Sequence, residues 1–128
     1  MRYLIFSSTL GLLLLFSCSR DKHLDDYSRI IDSADKIVFY TRHADTFAII
    51  HSVDSLEHLQ NLKDILKRNI KPEYQRKFIA KEKIEIYRHQ KLLGVLLISG
   101  LNEDPFVNFT NGKFGFGFKL TYGIGMSF

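Results

Sequence analysis

A single cysteine stands in the 128-residue chain, and that excludes an intramolecular disulfide framework. No repeat or low-complexity tract is present, so solenoids and arrays are excluded too. The longest apolar stretch, at the N-terminus, is roughly 15 residues, too short to cross a ~30 Å hydrocarbon core as a helix rising 1.5 Å per residue. Catalytic signatures are equally scarce: there is no HExxH spacing for zinc, and no glycine-rich loop leads a strand into a helix to cradle phosphate. What remains is an ordinary globular balance, 45% hydrophobic and 25% charged, of a length that makes one domain at most.

The first seventeen residues read as an address. Arg2 is a short basic n-region, Tyr3 to Phe16 form an apolar stretch softened by Ser7, Ser8 and Thr9, and Cys18 follows at once. The end of this segment, Leu15-Phe16-Ser17-Cys18, resembles the lipobox of bacterial lipoproteins. The resemblance implies that residues 1–17 are a cleaved signal peptide and that Cys18 becomes a lipidated N-terminus, carrying a diacylglyceryl thioether and an N-acyl chain such as palmitate. More than one chain is needed for stable anchoring, because each buried CH₂ contributes only ~0.8 kcal/mol. Ser19, rather than an aspartate, after the cysteine implies sorting to the outer membrane. The acidic residues that follow resemble surface-export signals of Bacteroidota lipoproteins, and whether the protein faces the periplasm or the cell surface is left open.

Residues 18–35 carry three basic and five acidic side chains with scattered Leu24, Tyr27, Ile30 and Ile31, and read as a charged tether closing in a short helical turn. The folded domain is expected over 36–128. Lys36 to Arg42 and Thr46 to Val53 alternate as a hairpin, with Ile37, Phe39 and Thr41 on one face and Phe47, Ile49, His51 and Val53 on one face of its second strand. Asp54 and Glu57 have capping-box spacing ahead of Leu56, Leu59, Leu62, Ile65 and Leu66, a helical stripe. Asn69 can take the left-handed cap, and Pro72 forbids continuation.

Ile84 and Ile86 alternate with Glu85 and Tyr87 in a third strand, and Leu92 to Ser99 is an almost wholly apolar fourth, expected to be central and covered on both faces. Phe78 to Lys83 either extends the third strand or adds a helical turn. Asn111-Gly112 predicts a type I′ hairpin. The expected fold is therefore α+β and two-layer: an antiparallel sheet of five to six strands in the order β-β-α-β-β-β, with one amphipathic helix packed across it. The stretches Lys83-Ile84-Glu85-Ile86-Tyr87 and Lys91-Leu92-Leu93-Gly94-Val95-Leu96 resemble small α+β lipoproteins built as hairpin, helix and meander, a resemblance that implies a fold and no active site.

Five histidines invite a metal hypothesis, and His43, Asp45 and His89 would meet only if two turns share one end of the sheet. Ser52, His51 and Asp54 are near neighbours whose alternating side chains cannot make a nucleophile, base and orienter line. No catalytic residue, metal site or cofactor is expected. Charge is more informative: Lys63 to Lys91 holds ten basic side chains against four acidic ones. Of these, Lys63, Lys67, Arg68, Lys71, Arg76, Lys77, Lys81 and Lys83 are candidates for contact with an anionic surface or an acidic partner. An exported protein is not expected to meet nucleic acid.

From Phe114 to Phe128 large apolar residues alternate with glycine or polar ones. This reads as a long strand whose aromatic face covers the core; the alternative is a β-signal-like strand pairing with other chains at the membrane. The function expected is a membrane-anchored, non-catalytic binding, inhibitory or accessory module. Its expected partners are the bilayer, through acylated Cys18, and an envelope protein or a second copy. The alternative is a structural subunit built on that C-terminal strand.

Overall fold

The computed structural model describes residues 22–68, 70–99 and 105–120. The elements are helix α1 (22–33), strands β1 (Lys36–His43) and β2 (Thr46–Val53), helix α2 (Leu56–Lys67), and strands β3 (Glu82–Arg88), β4 (Lys91–Ile98), β5 (Phe106–Thr110) and β6 (Gly115–Lys119). The strands form one antiparallel sheet in the spatial order β2-β1-β3-β4-β5-β6. The fold is α+β, with both helices contributing to a core on one face of the sheet.

Register decides which side chains enter that core. Ile37 pairs with Ile86, Phe39 with Ile84, Ile84 with Leu96, Leu96 with Phe109, and Phe109 with Phe116. These residues therefore share one face, and all are buried. The expected apolar face of the last strand holds as far as Leu120: Phe116, Phe118 and Leu120 are core residues. The remainder of that expectation, residues 121–128, lies outside the described residues. β4 is central as expected, but the side chains of Val95 and Leu97 on its second face are only half-buried.

The largest departure from the sequence expectation is at the start. Residues 22–33 are not a tether but a helix of the core. Leu24, Tyr27, Ile31 and Ala34 recur at three and four, with Tyr27 and Ile31 fully buried. The Tyr27 ring meets Phe109, Phe116 and Phe118 edge-on, at centroid distances of 4.9, 5.4 and 5.8 Å, and its hydroxyl donates to the Leu66 carbonyl at 2.7 Å. Leu66 lies in the last turn of α2, where carbonyls lack helical partners, so one hydrogen bond ties the two helices together and satisfies a buried acceptor.

Helix α2 also starts differently from its expectation. Ser55, not Asp54, is its N-cap, and it makes no side-chain cap bond; its Oγ lies 3.0 Å from His58 Nδ1 instead. Leu56 is exposed, so the buried stripe runs Leu59, Leu62 and Leu66. Asn69 lies outside the described residues.

The turns redistribute as well. Asn111 does not take positive φ: its Oδ1 accepts from the Lys113 and Phe114 amides at 2.9 and 3.0 Å, and only Gly112, at φ 88°, is left-handed. The two-residue turn with positive φ at both positions is His89-Gln90, at 50° and 65°.

Candidate functional site

From α2 the chain reaches the outer edge of β6. There Glu73 and Gly117 exchange backbone hydrogen bonds of 2.6 and 2.9 Å. It then crosses the face opposite the helices as a strap: the Asn108 side chain bonds the Arg76 backbone at both its amide and carbonyl, Gln75 donates to the Phe109 carbonyl, and the Arg76 guanidinium lies 4.3 Å from the Phe106 ring centroid. Phe78 packs edge-on to Phe106. The glycines on this face of β6 make room for it, since a Cβ on Gly117 would fall 2.8 Å from the Tyr74 carbonyl oxygen. The strap covers β5 and β6. Among the described residues no helix covers the same face of β1, β2 and β3.

A β-bulge brings large apolar side chains to that region. Phe39 pairs with His51, but the next residue, Tyr40, pairs with Ile49, leaving Ile50 as the extra residue. The period-2 pattern of β2 therefore changes face. His51 and Val53 stand with Ile37 and Phe39 on the helix side, while Ile49 and Phe47 stand with Tyr40 and Arg42 on the open side. The expectation that Phe47, Ile49, His51 and Val53 share one face is corrected by this single residue.

The open face carries a groove of about 700 Å³ whose walls include Val38, Tyr40, Ile49, Ser52 and Tyr87. Beside it, Tyr87 Oη donates to Glu85 Oε1 at 3.1 Å, and the Tyr40 hydroxyl also bonds Glu85. Lys83 Nζ lies 3.9 Å from Glu85 Oε2 and over the rings of Tyr40 and Phe47, 4.4 and 4.8 Å from their centroids. The Arg42 guanidinium covers Phe47 at 5.0 Å, with its Nε buried and without a hydrogen-bond partner among the described residues. The cluster is thus two phenols sharing one carboxylate whose charge is balanced by a lysine.

Both phenols are held neutral. The hydrogen bond to Glu85 raises the Tyr40 pKa, reinforced by burial, and burial raises that of Tyr87, reinforced by Glu85. Burial raises Tyr27 in the core as well. In each case the folded-state value lies above the ordinary 10.0, so the unfolded chain releases its protons first. The stability these groups contribute is complete below pH 10 and falls as pH rises beyond it. Denaturant unfolding followed by circular dichroism from pH 9 upward is expected to show this decline, and replacing Tyr40 and Tyr87 by Phe to reduce it to the part that Tyr27 contributes.

The structure separates most of the residues that the sequence grouped. Lys63 is buried, with Nζ donating to the Asp32 carbonyl at 2.7 Å, and burial lowers its pKa. Lys67 pairs with the Asp32 carboxylate. Both therefore fasten α2 to the end of α1. Arg76 belongs to the strap, where it pairs with Glu73, and Lys83 to the open face. Arg68, Lys71, Lys77 and Lys81 are exposed between α2 and β3. The eight candidates do not form one basic patch. His43 and Asp45 lie at the opposite end of the sheet from His89, because Thr41 pairs with Glu82 while Lys36 pairs with Tyr87. Among the described residues no three His, Cys, Asp or Glu side chains converge on a metal position. Cys18 lies outside the described residues.

Sequence reasoning named Tyr87 and Glu85 as the second face of a strand but missed their union with Tyr40. The signal was present in the matching polar-aromatic alternation of β1 and β3; the pairing of these two strands, which are not consecutive in the chain, was not legible. Comparison with protein-family models, curated proteins and solved structures finds no match to this chain.

Proposed function

We propose that the chain is an envelope lipoprotein held at the outer membrane through acylated Cys18, and that its folded domain is a non-catalytic module binding a partner on the open face of β1, β2 and β3. The observation that carries the binding role is the uncovered groove. Val38, Tyr40, Ile49 and Tyr87 line it, with Asp35, Lys36 and Asp54 among its polar walls, and Ile49 is 66% exposed. Aromatic residues beside an exposed aliphatic are the composition of interface centres, where tyrosines lose little entropy on contact. The neutral, hydrogen-bonded phenols favour recognition over nucleophilic chemistry. The burial of Phe116, Phe118 and Leu120 in this chain's own core favours a module over a subunit that lends its last strand to other chains.

The test expresses the full chain in a bacterial host beside its Cys18→Ser variant and a Tyr40→Ala, Tyr87→Ala double variant. Cys18→Ser is expected to remain uncleaved and unlipidated by mass spectrometry; normal processing would sink the anchor. A partner captured from native envelopes is expected with the parent chain and to fall at least tenfold with the double variant, the loss of two interface aromatics costing about 2 kcal/mol or more. Equal capture by a folded double variant would remove the groove from the binding role.

A further inference from the structure

We infer that the rim of the domain around the start of α1 rests on the phosphate-bearing surface of the bilayer that holds the anchor, an inference that rests on the lipoprotein reading above. The described part of helix α1 opens at Lys22, four residues after Cys18. At about 3.5 Å per residue, even a fully extended link reaches only about 14 Å. A domain of about 100 residues has a radius of gyration near 13 Å, so this leash is shorter than the domain is wide. The side on which α1 starts must then lie at the headgroups, and the far side cannot.

The start of α1 is fixed in place. The His23 ring stacks on Phe114 at 4.7 Å with the planes 7° apart, which holds it beside the β5–β6 turn. His23 also shares a groove with Pro72, Glu73 and Tyr74 of the strap. Three segments distant in sequence therefore present one rim, and its exposed residues suit an anionic interface. Tyr74 is 88% exposed although its backbone is held against β6, and an aromatic ring with a hydroxyl tip is the side chain that settles at headgroup level. Lys22, Lys71 and Lys113 are exposed around it, where they can meet lipid phosphates.

The acidic neighbours are largely neutralised. Glu73 pairs with Arg76, and Asp26 with Arg29, each at 3.3 Å; among the described residues exposed Asp25 adds an opposing charge, as does Asp21 in the link to Cys18. The β1–β2 turn is the diagonally opposite corner: it lies at the other sheet edge and, because Thr41 pairs with Glu82 while Thr110 pairs with Val95, at the other end of the strands.

The chain has no tryptophan, so one introduced residue reports its own surroundings. Tyr74→Trp and Asp45→Trp full chains, purified from a bacterial host in detergent, are reconstituted into phosphatidylcholine vesicles with or without phosphatidylglycerol, and with or without brominated acyl chains. Tyr74→Trp is expected to emit to the blue of Asp45→Trp in the same vesicles and to be quenched by brominated lipid, more strongly when phosphatidylglycerol is present. Asp45→Trp is expected to emit as in water and to resist quenching. Water-like emission from both on protein that floats with the vesicles would overturn the orientation and leave the anchor standing. Quenching that ignores phosphatidylglycerol would overturn the contact with anionic headgroups. Protein that retains residues 1–17 and stays off the vesicles would overturn the lipoprotein reading and this inference together.

Discussion

Tyr27→Ala is expected to destabilise the domain by about 3–5 kcal/mol, the cost of deleting a large buried aromatic from a core. The ring loses edge contacts with Phe109, Phe116 and Phe118, and the Leu66 carbonyl loses the hydroxyl that satisfies it. Against a typical total stability of about 5–15 kcal/mol, this leaves the domain marginal. Tyr27→Phe separates the two contributions: it keeps the ring and removes only the hydrogen bond, for an expected loss of about 1–3 kcal/mol from a buried acceptor left without a partner. Urea unfolding of both variants decides the matter. A loss below about 1 kcal/mol for Tyr27→Ala would mean that α1 does not belong to the core and would return residues 18–35 to the role of a tether.

Gly117→Ala is expected to cost about 1–3 kcal/mol, the range for overfilling a packed site, and to loosen the strap selectively. Its Cβ would fall 2.5 Å from Phe106 Cζ and 2.8 Å from the Tyr74 carbonyl oxygen. The ring can shift, but the carbonyl belongs to backbone that is bound to β6 through Glu73. The expected sign is therefore a lifted strap, read as faster amide exchange at Glu73 and Arg76 together with a lower unfolding midpoint. Gly112→Ala is the control. Nothing lies within 4 Å of a Cβ there, but φ is +88°, so it is expected to cost about 1–2 kcal/mol through backbone strain alone and to leave strap exchange unchanged. Equal exchange in the two variants would show that close approach at Gly117 does not hold the strap.

The lesson of α1 concerns a local signal read with the wrong prior. Its apolar residues have helical spacing, yet polar and charged side chains surround them and the segment directly follows the apolar N-terminal stretch, so the sequence alone favours a solvated tether. Only the aromatic surface of β5 and β6 and the end of α2 make Tyr27 a core residue. The turns carry a related lesson. Asn111-Gly112 has the preferred residues for a type I′ turn, but the Asn111 side chain captures two backbone amides and sets another conformation. His89-Gln90 lacks those residues and adopts positive φ at both positions, because the pairing of Arg88 with Lys91 leaves only two residues to reverse the chain.

Alternation and helical period by themselves determined the class of this fold, a sheet of five to six strands and the helix α2, because burial of one face imposes period 2 on strands and near 3.6 on helices. The same patterns determined that Phe116, Phe118 and Leu120 share a face. Tertiary structure decided what that pattern cannot carry. Strand order joined β1 to β3 and so brought Tyr40 to Glu85 and Tyr87. The bulge at Ile50 moved Ile49 and Phe47 to the open side, since one extra residue reverses the face of every side chain beyond it. The run of lysines and arginines was likewise dispersed by folding, because neighbours in sequence separate onto a helix, a strap and a strand. The candidate groove exists only through these long-range pairings.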